Sequence, residues 1–278
     1  ERRIKRVSPG LDDKILASWN GLMLKGYVDA FKVFKEPEFL SIAIKNANFI
    51  SRKLMKEDGA IYRNYKNGKV FIPGFLDDYA LVAEAFIALY EVTFDEKWLL
   101  FADKLVQYAV AHFYDKEKYL FYYTSDEQQA IIARKAETSD NVIPASNSAM
   151  AIVLHALGHI MADEEYVKMS NMMLCVIKGA MNNYPQGYTN WGILMLHQYC
   201  NFYEVAIAGK QALMFRDKLN TVYLPNKVMM GAEAKSNLEI LKPKLIGERT
   251  LIYVCENKTC KMPVSSAPEA VTQIERIL

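Results

Sequence analysis

A repeat built from two unlike halves constrains this chain more than any other feature. Leu11-Asp12-Asp13-Lys14-Ile15-Leu16 returns as Leu76-Asp77-Asp78-Tyr79-Ala80-Leu81, 65 positions on. Each copy opens a long apolar segment. A third such segment opens after Pro144-Ala145-Ser146-Asn147-Ser148, without the carboxylates. The segment that follows each of them starts with an acid and then an aromatic: Glu36 to Phe39, Asp95 to Trp98, Asp163 to Tyr166. A fixed period of this length marks one supersecondary unit repeated around or along an axis.

The halves of the unit differ in what must cover them. Residues 79–90 carry a single charge, Glu84, and residues 149–162 carry no acid, lysine or arginine. A helix apolar on every side has to be packed on every side. The partner segments 38–56, 96–113 and 164–182 are amphipathic instead, with Ser41, Lys45, Asn48 and Arg52 on one face of the first. Buried helices alternating with half-exposed ones predict a two-layered shell of helical hairpins, an inner layer inside an outer one. Residues 187–200 supply a seventh helix.

Strand-like excursions interrupt the helices. Residues 61–65 and 70–72 flank Lys66-Asn67-Gly68-Lys69, whose Asn-Gly predicts a tight hairpin. Residues 119–124 and 131–134 read as a second hairpin, and both would sit at the rim where inner helices begin. Beyond residue 201 the texture changes to strand (204–209), helix (to 219), strands (222–230, interrupted at Pro225-Asn226, and 251–255) and a terminal helix from 267. The expected division is a helical part over 1–202 and a small α/β subdomain over 203–278 that supplies nothing to the helical lumen.

Composition narrows the function classes. With 51% hydrophobic and 24% charged residues the chain is neither disordered nor fibrous. Thirty-four Lys and Arg against 32 Asp and Glu leave +2, too little to drive binding to nucleic acid or an acidic membrane. No apolar run approaches the roughly 18 residues of a spanning helix. Glu1-Arg2-Arg3-Ile4-Lys5-Arg6 is basic with no apolar stretch behind it, so it does not read as a signal peptide. Cys175, Cys200, Cys255 and Cys260 are too few for a disulfide framework, which favours a reducing cytoplasm.

Five blocks taken together are more specific. Residues 12–23 (Asp-Asp-Lys-Ile-Leu-Ala-Ser-Trp-Asn-Gly-Leu-Met), Leu76 to Ala80, Ile143 to Ser148, Tyr223 to Val228, and Tyr253 to Asn257 with Cys260 and Pro263 occur in that order. They resemble the C-terminal part of the thioredoxin-domain-containing family typified by spermatogenesis-associated protein 20 and the bacterial YyaL-type proteins. The resemblance implies a thioredoxin-like domain, then a six-hairpin (α/α) toroid, then an α/β tail. Toroids of that class resemble N-acylglucosamine 2-epimerases and several glycosidases. A full ring needs about twelve helices. The fold expected here is therefore mainly α: a partial, six-hairpin-glycosidase-like (α/α) toroid with a small C-terminal α/β subdomain. The thioredoxin Cys-x-x-Cys is absent, so no redox role of that kind carries over.

Asp12, Asp13, Asp77 and Asp78 stand where two inner helices begin. An aspartate there caps the helix by accepting unpaired N–H groups and suits its positive end. One per helix suffices, which leaves the second to face the toroid mouth. Neighbouring helix axes lie about 8–10 Å apart, so carboxylates on adjacent helices fall near the roughly 5–9.5 Å that paired-carboxylate glycoside chemistry uses. Asp13 and Asp78 are on this reading the catalytic candidates, and Asp12 and Asp77 the caps. Trp19 and Tyr79 would stack on a sugar ring or fill the core; Asn20, Ser146, Asn147 and Ser148 offer neutral hydrogen bonds. Asp13, Trp19, Asp78, Tyr79 and Asn147 are expected to line one cavity. Arg63, Tyr65, Tyr123 and Arg134 would close over a polyhydroxylated or anionic ligand or decorate exposed strands. Glu84 faces the lumen or meets a cation such as Lys14. Ser146-Asn147-Ser148 lacks the glycine frame of a hydrolase elbow.

His155 and His159 have metal-ligand spacing but supply only two ligands, so packed histidines are expected and no metal. An epimerase would need acid–base groups in the lumen, commonly histidines, and none of the four lies in the mouth motifs. Cys255 and Cys260, five apart, match neither a redox nor a zinc pattern; a minor redox or metal duty rests on the resemblance alone. No cofactor is indicated.

Two function classes follow. One is a carbohydrate-active hydrolase or isomerase using paired carboxylates on a carbohydrate or other polyhydroxylated molecule. The other is a non-catalytic scaffold or binding protein on the same fold. A half ring would also expose Leu16, Trp19, Met23, Tyr27 or Phe31 on an open flank, predicting self-association or an upstream half of the same protein.

Overall fold

A computed structural model describes residues 6–7, 10–128, 133–245, 247, 249–257 and 259–275. Three helical hairpins and a seventh helix make up its first part. They are α1 (Ala17–Phe34) with α2 (Pro37–Phe49), α3 (Leu76–Thr93) with α4 (Lys97–His112), α5 (Ser146–Met161) with α6 (Glu164–Asn183), and α7 (Thr189–Tyr199). The odd-numbered helices form the inner layer, with α3 between α1 and α5, and α7 beyond α5. Fifteen of the eighteen residues of α3 are buried, as its apolar circumference requires.

The repeat is written into the turns as well. Each inner helix of the three hairpins ends on a non-glycine residue in the left-handed region: Lys35 (φ 60°), Phe94 (φ 54°) and Ala162 (φ 59°). That conformation stops the helix and lets the cap N–H bond back to a carbonyl of the last turn, at Phe31, Tyr90 and Gly158. Close approach of α1 and α3 depends on Gly21, where an added Cβ would sit 2.8 Å from the Leu81 carbonyl oxygen.

Strand β1 (Ile15–Leu16) and the hairpin β2 (Tyr62–Lys66)–β3 (Lys69–Pro73) form a three-stranded sheet beside the start of α1. Asn67 (φ 50°) and Gly68 (φ 79°) make its turn, both in the region a two-residue hairpin needs. The second expected hairpin takes a different form. β5 (Leu120–Phe121) pairs with β4 (Tyr114–Asp115), while the backbone of Tyr123 reaches Lys135. Ile131 of that expected pair lies outside the described residues, as does the stretch Glu1 to Lys5.

The C-terminal part begins with β6 (Tyr203–Ala208) as the centre of a four-stranded sheet. β7 (Lys227–Ala232) joins it in parallel through α8 (Ala212–Leu219), a strand–helix–strand crossover. β8 (Leu251–Glu256) pairs with its other edge antiparallel, followed by β9 (Thr259–Cys260) and α9 (Ala267–Thr272). Alternation along β6 splits its contacts. Tyr203, Val205 and Ile207 pack with α8 and α9. Ala206, with Val228, Met230 and Ala232 of β7, joins the core of the helical part. The sheet is thus laid against the toroid rather than suspended from it. Residues 222–224, expected as strand ahead of the interruption at Pro225-Asn226, form a loop instead, since Pro225 removes a ladder donor.

The expected exposed flank of α1 is also partly covered. Trp19 (63% exposed) and Met23 (58%) face out, but Phe31 (8%) is buried with the Arg216 guanidinium of α8 over its ring.

Candidate functional site

At the start of α3 the Asp77-Asp78 motif forms a buried joint between inner helices. Asp78 is fully buried and spans two helices: Oδ1 accepts from the Ser18 N–H at the start of α1 (3.0 Å), and Oδ2 accepts from the Phe75 N–H that precedes α3 (3.0 Å). The Arg63 guanidinium, reaching in from β2, donates to Asp78 Oδ2 (2.9 Å) and Asp77 Oδ1 (3.0 Å) and lies over the Phe75 ring. Burial and the neighbouring Asp77 push the Asp78 carboxyl up to about 6 against the pull of Arg63 and the two N–H groups. Asp78 is thus the cap in place of Asp77, and Arg63 holds both carboxylates. Asp12 and Asp13 precede α1 by several residues, because Leu16 is its N-cap residue. Asp12 binds Lys14, and Asp13 is exposed and paired with Lys66.

The other expected site residues are mostly tied into structure. Tyr79 accepts the Ile61 N–H (3.2 Å) and stacks on Tyr108. Asn147 exchanges bonds with the Phe121 backbone (2.8 and 2.9 Å) and donates to the Glu137 carbonyl. Arg134 donates to the carbonyls of Thr124 and His112 and lies over Tyr122. Ser148 bonds Asp140, and Ser146 is buried with its hydroxyl unpartnered. Tyr65 packs edge-on against Phe49, and Tyr123 lies at a tilt against Phe75. Trp19 and Asn20 share a surface cavity of about 700 Å³ with Asp12 and Asn46. Asp13, Asp78, Tyr79 and Asn147 do not line it, so the five residues expected in one cavity are dispersed.

A larger cavity, about 780 Å³, opens at the opposite end of the inner helices. All four contribute the stripe their spacing turns inward: Lys25, Asp29 and Lys32 from α1; Glu84, Ile87, Ala88 and Glu91 from α3; Ile152, His155 and Ala156 from α5; His197 from α7. Glu84 lies about 9 Å along the helix axis from Asp78 at 1.5 Å per residue. The loop 220–225 and the start of β7 line the remaining wall, so the C-terminal part does supply lumen residues. The sequence could not show this, because the loop comes into place only when β7 pairs with β6.

The wall is highly charged. Burial would raise the Glu91 carboxyl, but Lys32, Lys227 and the Met229 N–H (2.9 Å) outweigh it and hold it low. Glu84 is pushed up by burial against the pull of Lys25, and no bond joins it to Lys14. Burial lowers the Lys25 ammonium less than Glu84 and Asp29 raise it, so it stays charged. Lys227 is lowered by burial, with Glu91 opposing. His155 is pushed down to about 3, first by burial and then by His159 and His197, so its ring is neutral. Neither of its ring nitrogens has a hydrogen-bond partner among the described residues, and the same holds for Asn220 Nδ2 in the same cavity, whereas Lys35 Nζ lies 4.0 Å from Asp217. Buried polar groups in folded chains are seldom left without a partner. Among the described residues, no three His, Cys, Asp or Glu side chains are grouped to hold a metal ion.

Cys255 and Cys260 form a disulfide, a pairing that the expectation of too few cysteines for a disulfide framework did not include. They face each other in the β8–β9 register, which a tight turn after Glu256 creates.

The architecture is that of the six-hairpin glycosidase-like toroids, in partial form with an added α/β layer. Among solved structures the chain is similar to the GH76 α-mannanase BT2949 of Bacteroides thetaiotaomicron (TM-score 0.55, 14% identity, 84% of this chain and 66% of that one). It is also similar to an unsaturated glucuronyl hydrolase specific for heparin (TM-score 0.51, 17% identity, 61% and 48%). In sequence it resembles human spermatogenesis-associated protein 20, 26% identical over 97% of this chain and 37% of the relative. The uncharacterized protein B0495.5 of Caenorhabditis elegans is likewise 26% identical, over 96% and 38%. The chain thus spans well under half the length of these relatives. No protein-family model matches it. No helix among the described residues is long and apolar enough to cross a membrane.

Proposed function

We propose that the lumenal cavity binds a polyhydroxylated sugar and supports proton-transfer chemistry on it, in the manner of an isomerase or epimerase. The observation that carries this reading is the presence of unpartnered buried polar atoms in the cavity lining, the two ring nitrogens of His155 foremost and Asn220 Nδ2 with them. A neutral imidazole offers one N–H and one lone pair, which matches a hydroxyl that both donates and accepts. Lys35 and Asn220 add donors, and Ile87, Ala88 and Ile152 add apolar surface for the ring face. Glu84, raised by burial, and Lys227, lowered by it, are pushed toward each other in proton affinity, an arrangement that suits exchange of a proton across a bound substrate.

Hydrolysis by paired carboxylates fits less well. That chemistry needs two free carboxyl groups. Asp77 and Asp78 are held by Arg63, and Glu91 is engaged by Lys32 and a backbone N–H. The absence of histidines from the N-terminal motifs, which counted against an epimerase, loses its force because the cavity lies at the other helix ends.

The test is incubation with glucose, mannose, fructose and N-acetylglucosamine in D₂O, followed by proton NMR. Saturable binding with loss of the C2 proton signal supports the reading, and His155→Phe should abolish both. Binding without exchange would make the chain a sugar-binding protein rather than an enzyme. No binding by any of the four would refute the reading.

A further inference from the structure

We infer a second ligand site, for a small organic cation, in the crevice between the α5–α6 turn and the C-terminal sheet. Its centre is Glu204. Side-chain alternation along β6 turns this residue toward the helical part, on the same face as Ala206. Glu204 is 4% exposed, and a carboxylate buried that deeply requires compensation. Only half of it is found. Oε1 meets His159 Nδ1 at 2.8 Å, whereas Oε2 is buried with no hydrogen-bond partner.

A cavity of about 390 Å³ lies against this carboxylate, within the range that holds small ligands. Its wall is acidic and apolar by turns: Glu204 shares it with Asp163, whose Oδ1 caps α6, and with Ala162, Val167 and Ile240. The lysines nearby are occupied elsewhere. Lys168, also on the wall, is largely exposed and pairs with Glu165. Lys244 feels the charge of Glu204 but donates its ammonium to the Ile240 carbonyl at 2.8 Å. Among the described residues none donates to Glu204 Oε2. A primary ammonium or guanidinium on a compact apolar body would supply a donor, the charge bonding Glu204 and the body resting on Val167 and Ile240. This site is separate from the lumenal cavity, with the ring of His159 between Glu204 and His155.

Benzylamine is a suitable probe at pH 8, with benzyl alcohol as its uncharged counterpart. Titration followed by calorimetry and by the His159 ring signals in NMR should show saturable binding of benzylamine and none of the alcohol. Glu204→Gln keeps the side-chain shape and an acceptor for His159 but removes the charge, and should weaken binding about tenfold or more. Ile240→Trp leaves Glu204 untouched and fills the crevice, so it should block binding even if Glu204→Gln fails to fold. Equal binding of amine and alcohol, no saturation, or wild-type affinity in folded Glu204→Gln or Ile240→Trp would overturn the assignment.

Discussion

Replacing Asp78 with alanine separates a structural carboxylate from a catalytic one. The change strips the Ser18 and Phe75 N–H groups of their acceptor and takes one of the two carboxylates from Arg63. Two buried N–H groups left unpaired cost about 1–3 kcal/mol each, and the charge-assisted bond a further 1.5–3 or so. Relief of the burial penalty on the carboxylate offsets part of this, and Arg63 keeps Asp77, so the net loss should be about 3–4 kcal/mol. Equilibrium urea unfolding reads it directly as a fall in midpoint of at least about 1 M at an m-value near 3 kcal/mol/M. Asp78→Asn retains one acceptor and should lose roughly half as much. Asp13→Ala, at an exposed pair, should leave the midpoint where it is. A loss below about 1 kcal/mol in Asp78→Ala would refute the capping account. So would an Asp78→Asn protein of wild-type stability that had lost all turnover.

Three further outcomes are expected. His155→Phe should be neutral or slightly stabilising in urea, because it removes two unpartnered buried nitrogens while filling similar volume, even as sugar binding disappears; a loss above about 2 kcal/mol would show that the ring is a packing element. Glu84 has a folded value above its ordinary 4.5, so the folded state holds its proton more tightly, and stability should rise as pH falls from the raised value toward 4.5. Glu84→Gln should flatten that limb of the pH–stability curve, and an unchanged limb would reject the assignment. Gly231→Ala would bring a Cβ within 2.3 Å of the Phe94 ring, so it should cost about 1–3 kcal/mol and loosen the sheet from the toroid, visible as faster hydrogen exchange in β7.

The helical shell was legible because it rests on local pattern. The charge-poor circumference of α3 and the acid–aromatic starts of α4 and α6 are sequence properties that map onto one structural unit. The site was not legible for the same reason inverted. Whether Asp77 or Asp78 caps α3 depends on where the Ser18 N–H lies, 60 residues away, and on Arg63 arriving through a hairpin. Glu84 stood out as a charge in a buried helix, and its lumenal position was one of two readings. His155 was visible at its spacing from His159, but its meaning needed His197 and the loop at 220–225 around one cavity. A scan for charged or imidazole residues at inward positions on all the inner helices at once, rather than at their first turns, would have found the stripe. Cys255 and Cys260 pair because the β8–β9 register sets them opposite each other, and that register depends on where β8 ends.

The seam between α3 and the sheet also has a consequence in time. Arg216 reaches the Val92 carbonyl across 124 residues of chain, Glu91 the Met229 N–H across 138, and Glu96 the Ser236 hydroxyl across 140. Contacts within a helical hairpin close short loops, and these close far longer ones. Loop-closure entropy delays such contacts until much else is in place. The hairpins should therefore assemble first as an open trough, and the last step lays the sheet across it. The same step run backwards is a partial unfolding that opens the lumen while leaving the helices intact. A ligand bound there would oppose that opening, and slower amide exchange in β7 and its preceding loop should be its earliest trace.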